Sequence, residues 1–364
     1  MRKFINKLII TITIFLIFVG LITIYSATRH IPFKSSETVL SRQIIWAIIG
    51  IIILLIVSNI NYRRFYEIAY VLYVISLILL GMVIILGREI SGAQRWLEIG
   101  GFNFQPSELS KLVIILFLSR YFSHKRFYHN KISKIWWELI LPLFFVALPV
   151  GLIFLQPDLG TASLIFIIFL ILLFQSEIKL KYFFVFLSSI LAALPFIWHF
   201  LRDYQKERLL VFLNPNFDPL GAGYTIIQSK IAIGSGRFLG KGWLSGTQNQ
   251  LNFLPERHTD FIFSVIGEEW GFMGAIALLV CYMIIISYAM QIAQSTKDRF
   301  GFFLALGVVG LISFQTIINI LMAMGICPVV GLSLPLISYG GSSLIIYCFL
   351  IGILLSINKK RIVF

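Results

Sequence analysis

The chain has 364 residues, of which 59% are hydrophobic and only 13% are charged. Soluble domains are nearer half apolar and a quarter charged, so these proportions exclude a soluble globular protein and indicate a polytopic membrane protein. The 30 basic and 16 acidic residues give a net charge of +14, which we assign to loops on the cytoplasmic side of a membrane and not to nucleic-acid binding.

Apolar runs separated by polar or Pro/Gly-rich stretches predict about ten transmembrane helices in one all-α domain over 1–364. The predicted spans are 8–28, 40–58, 66–86, 105–121, 138–156, 159–175, 182–201, 261–291, 300–325 and 335–357. The first run is about twenty residues long, which exceeds the hydrophobic part of a typical signal peptide. We therefore expect it to be retained as a helix.

The basic residues predict the orientation of these helices. With the N-terminus inside, more than half of the Lys and Arg residues fall in the inner segments. Because Lys and Arg concentrate in cytoplasmic loops, both termini are expected in the cytoplasm. The one large loop, 202–260, between the seventh and eighth helices, is then external.

The external loop 202–260 is too rich in aromatic and branched apolar side chains to be disordered linker. We expect short helices on the outer membrane surface, one of them over 224–233, where apolar residues have helical spacing.

The stretch 234–242 (GSGRFLGKG) does not match a phosphate-binding loop, because Ser235 stands where the first glycine is required and Lys241 is followed by Gly242 and not by Ser or Thr. We interpret it as flexible backbone, with a weaker alternative in which Arg237 and Lys241 contact a diphosphate.

Two polar stretches, 92–96 (GAQRW) and 104–111 (FQPSELSK), lie between the third helix and the fourth. Pro106 suits the first turn of a helix. Glu108 and Lys111 are three residues apart on one helical face and are close enough to pair. Two interpretations stay open: a structural ion pair at a helix mouth, or a Lys111 that presents positive charge to an anionic lipid headgroup.

Asp158, in the turn QPDLGT, is expected to cap the sixth helix. The stretch 335–343 (PLISYGGSS) opens the last helix with paired glycines. Irregular backbone at membrane depth requires cover by protein or a watery cavity, although helix packing also explains these small residues.

The three cysteines, Cys281, Cys327 and Cys348, are scattered without metal-ligand spacing, so we interpret them as small core residues.

The segment 254–271 (LPERHTDFIFSVIGEEWG) brings a cluster of ionisable residues to the start of a membrane helix. Charge placed against hydrocarbon costs free energy and usually marks a substrate or ion pathway. Asp260, the last charged residue before the helix, is the strongest candidate. His258 has no second His, Cys or carboxylate set to complete a metal site, so we assign it an orienting or hydrogen-bonding role.

The stretches GAQRW, FQPSELSK, QPDLGTA, NQLNFLPERHTDFIFSVIGEEWG and LPLISYGGSS, in this order, resemble the SEDS family (shape, elongation, division and sporulation). The resemblance runs from about the second helix to the last. Within the family, TQNQLNFLPER and PVVG resemble the rod-shape members more than the division members.

The resemblance implies a ten-helix glycosyltransferase of the bacterial cytoplasmic membrane that polymerises lipid II into glycan strands, with Asp260 as the essential acidic residue at the outer face. It also implies a class B penicillin-binding transpeptidase as partner, together with other membrane proteins of the elongation machinery.

The chemistry of this reaction fits the candidate residues. Displacement of a lipid diphosphate with inversion needs a base for the acceptor hydroxyl, for which Asp260 is the candidate, and positive charge for the leaving group. The externally placed cations are Arg42, Arg95, Lys111 and Arg257. The other substrate-binding candidates are Glu108, Glu256, His258 and Ser342. No cofactor or metal site is evident in the sequence, and a need for Mg²⁺ or Mn²⁺ is left open.

Two alternatives come from other functional classes. A lipid II flippase would also need a polar path, but ionisable residues buried in the middle of helices would favour it, whereas here they gather at one face. A scaffold for cell-wall enzymes would leave Asp260 dispensable. A septal or sporulation member of the same family would share the fold and the chemistry.

Overall fold

The structure is a computed structural model that describes residues 2–29, 33–90, 93–100, 102–124, 132–200, 203–214, 217–218 and 221–360. Within these ranges the helices are α1 (Arg2–Thr28), α2 (Phe33–Asn59), α3 (Arg63–Leu86), α4 (Pro106–His124), α5 (Ile132–Leu155), α6 (Leu159–Phe174), α7 (Leu180–Phe200), α8 (Asp203–Leu213), α9 (Ala222–Ser235), α10 (Thr247–Gln250), α11 (Ile262–Gln294), α12 (Arg299–Ala323) and α13 (Gly341–Lys360). Three strands are β1 (Arg88–Ile90), β2 (Ala93–Ile99) and β3 (Phe102–Phe104).

The predicted spans correspond to α1–α7 and α11–α13. Six helices in the described part of the chain are long and apolar enough to cross a membrane: α1, α3, α11, α12, α13 and the Val39–Asn59 part of α2. Shorter apolar helices lie within α5, α6 and α7. The polytopic helical fold is therefore confirmed. The basic residues within 125–131 and 361–364, which contribute to the predicted orientation, lie outside the described residues.

Two helices form the centre of the bundle. Nearly every side chain of α4 from Pro106 to Phe122 is buried, and α12 is buried over most of its length. A helix that is buried on all sides belongs to the core. By contrast, α2 and α3 expose rows of large apolar side chains, among them Ile48, Ile52, Val71 and Ile78, as expected of helices that face lipid.

The loop between α3 and α4 forms a small antiparallel sheet with the order β1-β2-β3. Leu97 pairs with Phe104, and Arg88 forms an ion pair with Glu98 at 2.7 Å. No strand was predicted here: β1 and β3 have only three residues each, too few to show a period of two. Strand β2 carries Arg95 and Trp96 of the motif 92–96, and Gly92 of the same motif lies outside the described residues.

Helix α11 breaks at Gly271, which has φ 65°, and the glycine-rich segment 236–242 fills the break. The amides of Phe272 and Met273 donate to the carbonyls of Arg237 and Phe238 at 2.9 and 3.2 Å. A Cβ on Gly271 would lie 2.3 Å from the amide nitrogen of Gly240. The interpretation of this segment as flexible backbone was therefore wrong: its glycines allow two main chains to approach closely.

The described part of the long loop 202–260 contains three short helices, α8, α9 and α10, as expected. The helix predicted over 224–233 is α9, which packs on α11. The last predicted span began at residue 335, but α13 begins at Gly341 and the described residues 327–340 contain no helix. That irregular stretch forms part of the wall of a large cavity.

Candidate active site

A cavity of about 770 Å³ opens where α2, β2, α4, α8 and the irregular stretches 256–260 and 329–340 meet. Six charged side chains line it: Arg42, Glu108, Arg95, Arg208, Glu256 and Asp260. Uncharged members of the wall include His258, Tyr339 and Ser342. Most of the residues that the sequence singled out thus meet around one space.

Asp260 is half-buried, and three hydrogen bonds fix the main chain around it. The carbonyl of Asp260 accepts from Asn319 Nδ2 at 2.9 Å. The carbonyl of Thr259 accepts from Ser338 Oγ at 2.5 Å, and the carbonyl of His258 accepts from the Tyr339 amide at 2.9 Å. The main chain that carries the Asp260 carboxylate is therefore held in place in the wall of the cavity.

Two buried amides on α12 hold the neighbouring stretch 331–333 of the wall. Asn319 Nδ2 also donates to the carbonyl of Leu332 at 2.7 Å, and one turn earlier Gln315 Nε2 donates to the carbonyl of Ser333 at 2.8 Å. A Cβ on Gly331 would lie 3.5 Å from Oδ2 of Asp260, so this loop lies directly against the carboxylate. Neither amide was predicted from the sequence, although polar residues inside an apolar span are a signal for such a role.

Glu108 and Lys111 form the expected ion pair, with 2.7 Å between Lys111 Nζ and Glu108 Oε1. Lys111 is completely buried, and its ammonium also donates to Gln315 Oε1 at 3.0 Å. Glu108 lines the cavity, whereas Lys111 is not among its lining residues. The geometry favours the structural ion pair, in which Lys111 holds Glu108 at the cavity wall.

Arg257 is also buried, away from the cavity. Its Nε donates to the carbonyl of Ala27 and its Nη1 to the carbonyl of Asn249, both at 2.6 Å. It is not among the cavity-lining residues. The structure therefore brings Arg42 and Arg95 to the cavity but gives Lys111 and Arg257 protein partners elsewhere.

Arg95 donates through Nε to the carbonyl of Gln156 at 3.1 Å and through Nη2 to the carbonyl of Pro157. The next residue, Asp158, caps α6 as predicted, because its Oδ1 accepts from the Thr161 amide at 3.1 Å. Ser342 accepts from the Gln105 amide at 3.2 Å and so joins the first turn of α13 to the start of α4. Arg95 and Ser342 therefore lie in the wall of the cavity.

Arg208, on α8 in the long loop 202–260, was not predicted from the sequence. Its Nη1 donates to the carbonyl of Val329 at 3.1 Å, which brings the guanidinium to the cavity. Nothing in the sequence distinguishes Arg208 from the other basic residues of the long loop. Only the fold of that loop identifies it.

The surroundings of Asp260 raise the pKa of its carboxyl to about 6. Burial is the main cause and the negative charge of Glu256 adds to it, while Arg95 and Arg208 act in the opposite direction. Burial also lowers the pKa of His258, which keeps its imidazole neutral. A carboxylate with this pKa is ionised at neutral pH and is a stronger base than an exposed aspartate, which suits proton abstraction.

The described part of the chain contains no cluster of side chains suited to hold a metal ion. No three His, Cys, Asp or Glu side chains in those ranges come close enough together to hold an ion.

Comparison with known proteins assigns the family. The profile of the FtsW/RodA/SpoVE family, described as cell cycle proteins, matches residues 6–362. The chain belongs to this family. Peptidoglycan glycosyltransferase MrdB of Escherichia coli K12 is 40% identical over 362 residues, which cover 99% of this chain and 96% of that one. The probable peptidoglycan glycosyltransferase FtsW of Trichlorobacter lovleyi is 38% identical over 93% of this chain and 89% of its own length.

A solved structure is similar to this SEDS-family chain over nearly its whole length. A chain of a peptidoglycan synthase complex that coordinates polymerization and crosslinking is 34% identical, with a TM-score of 0.81 and coverage of 97% of both chains. The SEDS resemblance inferred from the motifs is therefore confirmed by both sequence and fold.

Proposed function

We propose that this chain polymerises lipid II into β-1,4-linked glycan strands at the outer face of the bacterial cytoplasmic membrane during cell elongation. Membership of the SEDS family makes it a peptidoglycan glycosyltransferase; the lipid substrate, the sidedness and the residue roles are our proposal. The observation that carries the proposal is a single cavity that combines the half-buried carboxylate of Asp260 with the guanidinium groups of Arg42, Arg95 and Arg208.

The proposed reaction is one displacement at the anomeric carbon of the donor sugar. The acceptor hydroxyl oxygen attacks that carbon, and its proton moves to the carboxylate of Asp260. The bond between the anomeric carbon and the diphosphate oxygen breaks, and the electron pair leaves with undecaprenyl diphosphate. Attack opposite to the leaving group converts an α linkage into a β linkage, so one carboxylate is sufficient.

The leaving diphosphate needs positive charge and not a proton, because it is already a stable anion. Charge-assisted hydrogen bonds from guanidinium groups are among the strongest that a protein can offer to phosphate oxygens. Each guanidinium has five N–H donors. Arg95 and Arg208 can therefore keep their carbonyl contacts and also donate to the diphosphate.

The proposed partner is a class B penicillin-binding transpeptidase, together with other membrane proteins of the elongation machinery. The similarity to a chain of a peptidoglycan synthase complex supports an assembly of this kind. The motifs TQNQLNFLPER and PVVG support elongation over division. A septal role is the alternative, since a probable FtsW protein is almost as similar to this chain as MrdB.

Lipid II polymerisation by the purified protein with its transpeptidase partner tests the proposal. We expect Asp260→Asn to lower the polymerisation rate about 10²–10⁴-fold, because the acceptor hydroxyl loses its base. Glu98→Gln, which removes a carboxylate from the exposed ion pair with Arg88, is the matched control and should retain activity. Folding and partner binding are measured for both variants by size-exclusion chromatography.

Unchanged polymerisation by Asp260→Asn would contradict the assignment and direct attention to Glu256 or Glu108. If the wild-type protein makes no polymer but moves lipid II across vesicle membranes, the flippase alternative is correct.

A further inference from the structure

A second polar cluster, outside the cavity, surrounds two adjacent carboxylates of α11, Glu268 and Glu269. Both are buried, and neither lines the cavity or takes part in the proposed chemistry. A buried carboxylate is costly unless it is paired and hydrogen-bonded. Its partners therefore show which part of the chain it holds in place.

The carboxylate of Glu268 accepts four hydrogen bonds from one segment of the external loop. The donors are Lys241 Nζ at 2.8 Å, Thr247 Oγ1 at 3.1 Å, and the amides of Gln248 and Asn249 at 3.0 and 3.3 Å. The main chain adds a fifth contact, from the Lys241 amide to the Glu268 carbonyl at 3.0 Å. The Glu268 side chain therefore makes most of the contacts that attach segment 241–249 to α11, and main-chain bonds from the amides of Lys241 and Gly242 add to them.

The close approach of this segment depends on a glycine. A Cβ on Gly246 would lie 2.8 Å from Oε2 of Glu268, so any larger residue there would displace either the carboxylate or the loop. The neighbouring Glu269 accepts through Oε1 from Ser26 Oγ on α1 and from Asn249 Nδ2 at 3.4 Å. Asn249 therefore connects α11 to the end of α1.

Arg257 continues the connection towards the cavity. Its guanidinium joins the carbonyl of Asn249 to the carbonyl of Ala27, and it belongs to the turn that contains Asp260. In that turn the carbonyl of Glu256 accepts from the amides of Thr259 and Phe261, both at 3.2 Å. A continuous series of hydrogen bonds thus runs from Glu268 through Asn249 and Arg257 to the turn 256–261.

We propose that Glu268 is a positioning residue for Asp260, acting through segment 247–249 and Arg257. The inference rests on the proposed function, since it requires Asp260 to be the base. Loss of the Glu268 charge removes none of the groups that take part in the proposed reaction. It loosens the turn 256–261, which orients Asp260. A displacement of about 1 Å at a reacting group can lower the rate of the chemical step roughly 10²-fold.

The environment of Asp260 reports such a displacement independently of the rate. The charged groups that face Asp260 are Glu256 in its own turn, Arg95 on β2, Arg208 on α8 and Asp158 before α6, and the cavity also contains Arg42, Glu108 and His258. Burial is the main reason why the pKa of Asp260 is raised. A looser turn admits water, so the pKa of Asp260 and the acid limb of the kcat/KM profile both move to lower pH.

The experiment compares wild type, Glu268→Gln and Thr247→Val in the complex with the transpeptidase. We measure kcat, KM, the acid limb of the kcat/KM profile and the thermal unfolding midpoint. Glu268→Gln should lower kcat about 10-fold or more, change KM less than about 3-fold, and move the acid limb down by roughly half a pH unit. Thr247→Val, which removes one hydrogen bond, should act in the same direction to a smaller extent.

Glu177→Gln is the control for loss of a carboxylate, because this exposed residue pairs only with Arg299, at 3.4 Å, among the contacts in the described chain. The inference is overturned if folded Glu268→Gln keeps the wild-type kcat, if only KM rises, or if activity falls in proportion to the amount of folded protein with the acid limb unmoved. If Glu268→Gln does not fold, Thr247→Val decides by the same criteria. Wild type that makes no polymer refutes the proposed function itself, whereas an inactive Asp260→Asn with a normal Glu268→Gln refutes only this inference.

Discussion

Asp260 owes its chemical character to its neighbours and not to its position in the sequence alone. The carboxyl is half-buried, and the charges of Glu256, Arg95 and Arg208 act on it. Burial and the like charge of Glu256 disfavour ionisation, while the two guanidinium groups favour it. The resulting pKa of about 6 is set by the balance of these effects.

The pH dependence of polymerisation follows from this balance. As the proposed base, Asp260 must be deprotonated, so kcat/KM should fall about tenfold per pH unit below pH 6 and level off above it. Glu256→Gln removes a neighbouring negative charge, lowers the pKa of Asp260 and moves the acid limb to lower pH. Arg208→Gln removes a positive charge and moves it to higher pH. Initial rates measured between pH 5 and 8 give the acid limb of the kcat/KM profile for each variant. A shift of this limb in the same direction in both variants would contradict the assignment.

Lys111 is expected to contribute to stability through Glu108. Lys111→Met leaves the buried carboxylate of Glu108 without its cation, which costs roughly 3–5 kcal/mol. The double variant Lys111→Met/Glu108→Gln should recover much of this loss, because no uncompensated charge is left in the interior. Thermal unfolding in detergent measures both variants, and equal destabilisation of the single and double variants would show that the ion pair is not the cause.

At the scale of elements, α11 is a broken helix whose free backbone groups are satisfied by the external loop. Irregular backbone is tolerated in a membrane protein only where such groups are paired or covered. The loop segment 236–242 supplies these partners, and α10 and the turn 256–261 follow it in the chain. The same break therefore attaches the external loop and the residues that lead to Asp260.

The glycines at the break predict a steric effect of substitution. Gly271→Ala places a side chain at positive φ and against the amide of Gly240, and it should destabilise the protein by about 1–3 kcal/mol or more. Gly234→Ala is the matched control, since a Cβ there would meet no heavy atom within 4 Å, and it should be neutral or slightly stabilising. Thermal unfolding midpoints of the two variants would contradict this explanation if they were equal.

At the scale of the whole molecule, the helices place the cavity and the external loop at one end of the bundle. Asn319 on α12 contacts Asp260, while Lys359 at the end of α13 donates to Asn59 at the end of α2. The distribution of basic residues predicts that the end of the bundle with Lys359 and Asn59 is cytoplasmic. The donor and acceptor lipids would then reach the cavity from the outer leaflet.

Cysteine labelling tests this orientation. In a background with Cys281, Cys327 and Cys348 replaced by Ala, single cysteines are placed at the exposed positions Lys3 and Asn252. A membrane-impermeant maleimide should label Asn252→Cys in intact spheroplasts and Lys3→Cys only after lysis. Labelling of Lys3→Cys in intact spheroplasts would reverse the predicted orientation.

The helical spans, except for the start of the last one, and the position of Asp260 just before a helix could be predicted from the sequence. A bilayer requires apolar runs of about twenty residues and makes charge at its boundary conspicuous, and both constraints are local in sequence. The cap at Asp158 and the pairing of Glu108 with Lys111 were predictable for the same reason, because the partners are three residues apart.

The tertiary structure alone decided which cations reach the cavity. Lys111 and Arg257 are held elsewhere by Gln315 and Ala27, while Arg208 enters from α8 through its contact with Val329. The break in α11 likewise depends on a loop that approaches it from earlier in the chain. These contacts join residues far apart in sequence, and their distances are set by the packing of whole helices, which no local pattern of residue types encodes.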